Sequence, residues 1–218
     1  MQTAVMTGVL AASYLLGSIP WGYILVKIKK GKDIRTVESG RIGGTNTMRA
    51  AGFWMGFITS GLDILKSAGA AWIARWIVPD AYWLHVAAPI LAVVGHNYSI
   101  YLLKVEEGEI EFGGGAGGAP IVGGSIGLWW PSGLILIPLG MLIVFGVGYA
   151  SIATISLPLI SSAIFWILSS QGQAPWQYIF LGVFGELLIL WALRPNIRRL
   201  LAGEERLVGW RAKKTKQE

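Results

Sequence analysis

The sequence predicts an all-α protein, a polytopic bundle of transmembrane helices that forms a single integral membrane domain over residues 1–218. Three observations predict it. Apolar residues make up 54% of the chain and charged residues 14%, and the mean hydropathy of +0.57 lies outside the range of a soluble globular domain. The apolar residues fall in runs long enough to be spans, since about 20 helical residues cross roughly 30 Å of hydrocarbon. No long polar block divides them, so one membrane domain is the economical reading. The chain has no cysteine, which excludes disulfides, thiolate metal sites and a Cys nucleophile.

In chain order, spans are expected near 3–26, 53–78, 82–103, 131–150, 151–170 and 175–193. A seventh stretch, "GGAPIVGGSIGLWW" (117–130), is short and Gly-rich and reads as either a full span or a half-helix. The first run begins at Thr3 with no basic segment before it and continues past any small-residue cleavage site, which reads as a retained span rather than a signal peptide.

Charge decides the count. Of the 18 Lys and Arg, seven lie in the first loop (Lys27, Lys29, Lys30, Lys32, Arg35, Arg41, Arg49) and eight in the tail (Arg194, Arg198, Arg199, Arg206, Arg211, Lys213, Lys214, Lys216). The positive-inside rule puts both segments in the cytoplasm. Because one follows the first span and the other the last, the number of spans is odd, so seven rather than six. The N-terminus is then outside and the C-terminus cytoplasmic. The outer turns "PDAYW", "WWPSG" and "SSQGQAPWQ" carry Trp residues suited to the headgroup layer. The net charge of +6 would hold anionic membrane lipids against the cytoplasmic face, although setting topology accounts for most of these charges by itself.

One cytoplasmic stretch, "GRIGGTNTMR" (40–49), carries chemistry. Gly43 and Gly44 leave backbone N–H groups open to an anion, Thr45 and Asn46 add side-chain donors, and Arg41 and Arg49 add charge in a form that grips two phosphate oxygens at once. A helix starting near Met48 would aim further N–H groups at the same place. Composition alone fits equally a tight loop whose glycines only permit sharp turns.

The order of "GSIPWGYILVK" (17–27), "DIRTVESGRIGGTNTMRAAG" (33–52), "LDILKS" (62–67), "VVGHNY" (93–98) and "RPNIRRLLAGEE" (194–205) resembles, in register along nearly the whole chain, the bacterial glycerol-3-phosphate acyltransferases that use acyl phosphate as donor. The resemblance implies a seven-helix enzyme of the cytoplasmic (inner) membrane. Its site would lie on the cytoplasmic face and turn acyl phosphate and glycerol 3-phosphate into lysophosphatidic acid and phosphate, with no cofactor or metal. The family's first motif, Ser-Gly-Asn-x-Gly-Ala-Thr-Asn-x-x-Arg, falls on Ser39 to Arg49, with Arg41 in place of Asn and Gly44 in place of Ala. Asp63 and Lys66 match an acidic and basic pair of the second helix, whose plainer role is an ion pair tying helices together.

Later motifs are only partly kept. Gly95 and His96 survive, but the loop lysine falls on Ala116, and an acidic insertion (Glu106, Glu107, Glu109, Glu111) precedes it and is expected to oppose an anion by like charge. The family's Ser-Leu-Ser-Ser falls on Ser151 to Thr154, with a hydroxyl only at the two ends. The C-terminal motif keeps Asn196, Arg199, Gly203 and Glu205 but has Leu193 in place of His.

On this resemblance the catalytic residues are Ser39, Arg49 and Asn196, and the substrate and phosphate are bound by Arg35, Gly43, Gly44, Thr45, Asn46, His96 and Thr154. His96 either touches substrate or hydrogen-bonds between helices. The partners are acyl phosphate, glycerol 3-phosphate and membrane lipids, with no nucleic acid. The altered motifs also fit a member that has lost turnover and binds a phospholipid or another phosphorylated ligand, or one that uses another acyl acceptor. Two look-alikes are set aside. "GGSIG" (123–127) lies in a span without the strand-turn-helix setting of a nucleophile elbow, and "GGGAGG" (113–118) is expected to follow no strand or βαβ unit. His85 reads as an interfacial or core residue.

Overall fold

Two short helices, α1 (Gln2–Ser18) and α2 (Trp21–Lys30), form one apolar rod broken at Ile19–Pro20, where proline has no N–H to continue the ladder. Lys27, Lys29 and Lys30 sit in the last turn of α2, at the carbonyl end of the helix dipole, and Gly31 stops the helix in the left-handed region at φ 67°. A computed structural model describes residues 1–106, 108–209 and 212. Glu107 of the acidic insertion and Arg211, Lys213, Lys214 and Lys216 of the tail lie outside the described residues.

After a 3-10 turn at Ile34–Thr36 the chain enters α3 (Gly44–Ala51), then α4 (Phe53–Ile77) and α5 (Tyr82–Asn97). Beyond a β-hairpin follow α6 (Gly118–Leu128), α7 (Ser132–Leu142), α8 (Ala150–Ser170), α9 (Ile179–Ala192) and α10 (Arg194–Leu201). Helices α4, α5 and α6 form the middle of the bundle, with α1 on one side and α8 and α9 on the other. Small residues set the spacing. A Cβ at Gly17 of α1 would lie 2.2 Å from the Ala92 carbonyl of α5, and one at Gly123 of α6 would lie 2.0 Å from that of Ile64 in α4. Such backbone approach is how helices associate where lipid, not water, surrounds them. Ile121, Phe165, Leu181 and Ile189 fill the core, while Phe57, Leu65, Trp76, Leu134, Trp166 and Leu187 point outward. His85 is a core residue, 2.9 Å from the Tyr178 hydroxyl and 2.8 Å from the Val78 carbonyl.

The architecture departs from the expected one in three places. The protein is not all-α, because the helix expected over 82–103 ends at Asn97. Ser99–Glu106 then pairs as an antiparallel hairpin with Glu109–Gly113, giving strands β1 and β2. The physical reason is the change of period. Val105 faces Ile110 and Lys104 faces Glu111, so apolar and charged residues alternate and cannot form one helix stripe. A strand does therefore precede "GGGAGG", although among the described residues it pairs only antiparallel with β1 and no βαβ unit forms. The stretch 117–130 takes the half-helix form, with 11 residues in α6. The span expected over 131–150 is helical to Leu142, then passes through a wide turn at Ile143–Val147 to Gly148, at φ 87°.

Among the described residues, two helices are long and apolar enough to cross a membrane: Gln2–Lys30 taken whole, and Ala150–Ser170. A third appears if Trp176–Ala192 and Arg194–Leu201, bent by 69°, count as one.

Candidate active site

Local folding of the 34–49 segment rests on Asn46. Its Nδ2 donates to the carbonyls of Ile34 (3.4 Å), Val37 (2.9 Å) and Arg41 (2.8 Å), which draws the loop over the start of α3. Ser39 Oγ accepts from the Arg41 N–H at 3.4 Å and shapes the same turn. Helix α3 begins at Gly44, not near Met48, with Gly43 as its cap. A Cβ at Gly44 would lie 2.0 Å from Ser60 Oγ and 2.8 Å from the Gly56 carbonyl, so α3 rests directly on α4.

Two cavities flank this segment. The first, ≈ 430 Å³, is lined by Ser39, Gly43, Gly44, Thr45, Asn46, Arg49, His96, Thr154 and Asn196, so nine of the ten expected site residues come together there. Its remaining wall has an apolar stretch that includes Phe53, Phe57, Met141, Val144, Phe145 and Leu157, beside the polar and charged Arg41, Ser60, Asp63, Ser151, Glu205 and Arg206. The second, ≈ 820 Å³, is a basic cleft lined by Arg41, Arg194, Arg198, Arg199 and Arg206, with Asn97 and Gly113–Gly115. Both of the Asn97 side-chain polar atoms are buried without a hydrogen-bond partner among the described residues.

Arg35 is the expected site residue that lies elsewhere. Its guanidinium is 2.7 Å from Asp33 and stacks on Tyr23, and it lines neither cavity. The Arg35 hydrogen bonds hold the Asp33 carboxyl below the usual carboxylate range. Arg49, by contrast, donates to the Leu207 carbonyl at 3.3 Å and forms no salt bridge among the described residues. Burial pushes its pKa down from the ordinary arginine value, as Glu38 and Glu205 partly offset. Glu38 is itself 3.4 Å from Arg206.

His96 lies against a buried pair. Lys66 Nζ is 2.9 Å from Asp63 Oδ1, 2.9 Å from His96 Nδ1 and 3.1 Å from the Ile19 carbonyl, one acceptor for each ammonium proton. His96 Nδ1 also lies 3.5 Å from Asp63 Oδ1, so this nitrogen sits between the ammonium and the carboxylate, while Nε2 faces Gly115. At the tail, Asn196 Nδ2 donates to Glu205 Oε1 at 3.1 Å, and Glu205 Oε2 is 3.5 Å from Arg199. The Thr154 hydroxyl donates to the Ala150 carbonyl at 2.9 Å, which leaves its oxygen able to accept.

Glu106, Glu109 and Glu111 are exposed and line neither cavity. Sequence reasoning missed the apolar wall, whose residues come from α4, α7, the wide turn at Ile143–Val147 and α8, and it held Arg41 only as nearby charge. The signal for Arg41 was present in the one charged substitution within the first motif.

Residues 7–203 match the family model described as Glycerol-3-phosphate acyltransferase. The glycerol-3-phosphate acyltransferase of Thermosynechococcus vestitus is 32% identical over 219 residues, covering 96% of this chain and 98% of that protein. Its counterpart from Rubrobacter xylanophilus is 37% identical over 199 residues, covering 91% and 93%. Among solved structures, an integral membrane glycerol 3-phosphate acyltransferase in its glycerol 3-phosphate form superposes with a TM-score of 0.78 at 30% identity, over 94% of this chain and 96% of that one.

Proposed function

The chain belongs to the glycerol-3-phosphate acyltransferase family and acylates glycerol 3-phosphate to lysophosphatidic acid, and we propose that the acyl donor is an acyl phosphate bound in the first cavity. The observation that carries the donor is the composition of that cavity: an apolar wall that suits a fatty acyl chain ends at Gly43, Gly44, Thr45 and Arg49, which suit a phosphate. An acyl phosphate is a mixed anhydride and already activated, so the protein needs no metal or cofactor to build a leaving group.

The primary hydroxyl of glycerol 3-phosphate attacks the carbonyl carbon, the ester bond forms, and the bond from that carbon to the phosphate oxygen breaks. The hydroxyl proton passes to a substrate phosphate oxygen, so no side chain has to act as base. Arg49 and the first N–H groups of α3 stabilise charge on the departing phosphate. Ser39 and Asn196 border the reacting end, Asn46 holds the loop that forms it, and Thr154 and His96 bound its inner side. The chain is a membrane protein, and our reading keeps a single domain of seven spans, an outer N-terminus, and a site on the cytoplasmic face of the inner membrane.

The test is turnover by purified, detergent-solubilised protein given palmitoyl phosphate, with and without glycerol 3-phosphate, with lysophosphatidic acid followed by mass spectrometry. Acceptor-dependent product with equimolar phosphate release is expected. Absence of product from folded protein, with a known family member active alongside, would overturn the donor assignment.

A further inference from the structure

Arg41 lies in the wall between the two cavities and lines both. Its Nη1 donates to the Gly115 carbonyl at 2.9 Å, and its Nη2 donates to the Ala192 carbonyl. Those two carbonyls belong to the residues immediately before Ala116 and Leu193, the positions where the family pattern has its lysine and its histidine. A single guanidinium thus sits between both vacated positions. We propose that Arg41 supplies the positive charge against substrate phosphate that those two side chains would otherwise bring, an inference that rests on the acyltransferase reading above.

The charge is available for that role. A guanidinium has five N–H groups in a fixed fork; among the described residues two carbonyls take one each, and the side chain lines both cavities. Among the described residues Arg41 forms no salt bridge, and the nearby Glu205 is engaged by Asn196 and Arg199. Burial and the neighbouring Arg199 both disfavour the cation. A buried cation whose acceptors are all neutral is costly until an anion arrives, so the site is built to be relieved by one. The reaction brings two phosphorylated molecules together, and mutual repulsion between them is least where a cation stands between. The apolar cavity suits the acyl phosphate and the basic cleft suits glycerol 3-phosphate, and Arg41 reaches both. The two carbonyl bonds also fix the fork, so the charge is preorganised rather than carried on a mobile stem.

Arg41→Asn installs the residue of the family pattern, and Arg41→Gln keeps an N–H donor towards the Gly115 carbonyl without the charge. Each is made alone and together with Ala116→Lys, which returns a cation from the facing wall. Three quantities are read: KM for each substrate, the inhibition constant of inorganic phosphate, and the rise in melting temperature that inorganic phosphate gives the purified protein. Both single variants are expected to raise KM and the phosphate inhibition constant at least tenfold and to lose the phosphate-induced rise in melting temperature. Ala116→Lys should restore at least part of all three. A merely structural role would lower the melting temperature without phosphate and would not be rescued by a charge placed elsewhere. If either variant that melts like the parent keeps the parent's phosphate inhibition constant, the proposal fails. Failure of the donor assignment would show separately, as a parent protein that binds phosphate but makes no lysophosphatidic acid from palmitoyl phosphate.

Discussion

Lys66 and Arg41 are both cations withdrawn from water, and they differ in what they are given in return. The Lys66 side chain is 1% exposed and meets a carboxylate of equal burial at 2.9 Å; Arg41 donates, among the described residues, to backbone carbonyls. The first charge is cancelled inside the bundle and holds α4 to α1 and α5. The second is satisfied as a donor but not as a charge, so its field extends into the cavities. Arg49, bonded to the Leu207 carbonyl, belongs with Arg41. Neutral acceptors position a cation for an external anion, whereas a carboxylate uses it up.

The largest effect expected from this contrast is on stability. Lys66→Met takes the ammonium from Asp63 and leaves the carboxylate beside His96 Nδ1 at 3.5 Å, which should cost about 3–5 kcal/mol, whereas removing both charges with Asp63→Leu in the same chain should be near neutral. Thermal melting of the purified proteins reads the difference. A double variant no better than the single one would show that the pair acts beyond mutual neutralisation.

Arg49→Ala should reverse the pattern. Loss of a preorganised charge at the reacting phosphate is expected to lower kcat about 10²- to 10³-fold, with a smaller change in melting temperature than Lys66→Met. Steady-state turnover beside a melting curve checks this, and full activity would remove Arg49 from the site.

These contrasts also mark what could be read from the chain. The buried pair was legible because Asp63 and Lys66 are one helical turn apart inside an apolar run, and the 39–49 segment because glycines and arginines rarely crowd together between spans. Arg35 and Arg49 looked alike in sequence. They part in the structure because Asp33, two residues before Arg35, takes its guanidinium, while Arg49 donates to the Leu207 carbonyl and forms no salt bridge among the described residues. The hairpin was missed because the apolar run of α5 resumes at residues 100–103 after a short polar break at His96, Asn97 and Ser99, and pairing with 109–113 reveals its period. The apolar wall was beyond local reasoning, since it assembles from helices far apart in the chain.

Gly44→Ala tests how closely α3 must sit on α4 to hold Arg49 in place. The added Cβ would meet Ser60 Oγ at 2.0 Å, which can rotate away, and the Gly56 carbonyl at 2.8 Å, which cannot. Overpacking of this kind costs about 1–3 kcal/mol. It should lower melting temperature and raise KM together, and Ser60→Gly should recover part of both. Unchanged kinetics would mean that the phosphate end tolerates a shifted α3.

The smallest effect belongs to the charges that the sequence made look most adverse. Glu106 lies 3.3 Å from Lys104 on the exposed hairpin, Glu111 faces Lys104 across the strands, and Glu109 pairs opposite Glu106. Exposed carboxylates act through water and salt, with a Debye length of about 8 Å at physiological ionic strength, and none of these three lines either cavity. Glu109→Gln with Glu111→Gln should therefore change KM for glycerol 3-phosphate less than about twofold, and that small change should vanish as salt is raised. A fall in KM beyond fivefold that survives high salt would require close contact between the hairpin and the bound anion, and would place β1 and β2 over the basic cleft during turnover. The contrast between Lys66 and Arg41 would then need a third term: carboxylates that stay apart from the site's cations at rest and compete with substrate for them when the hairpin moves.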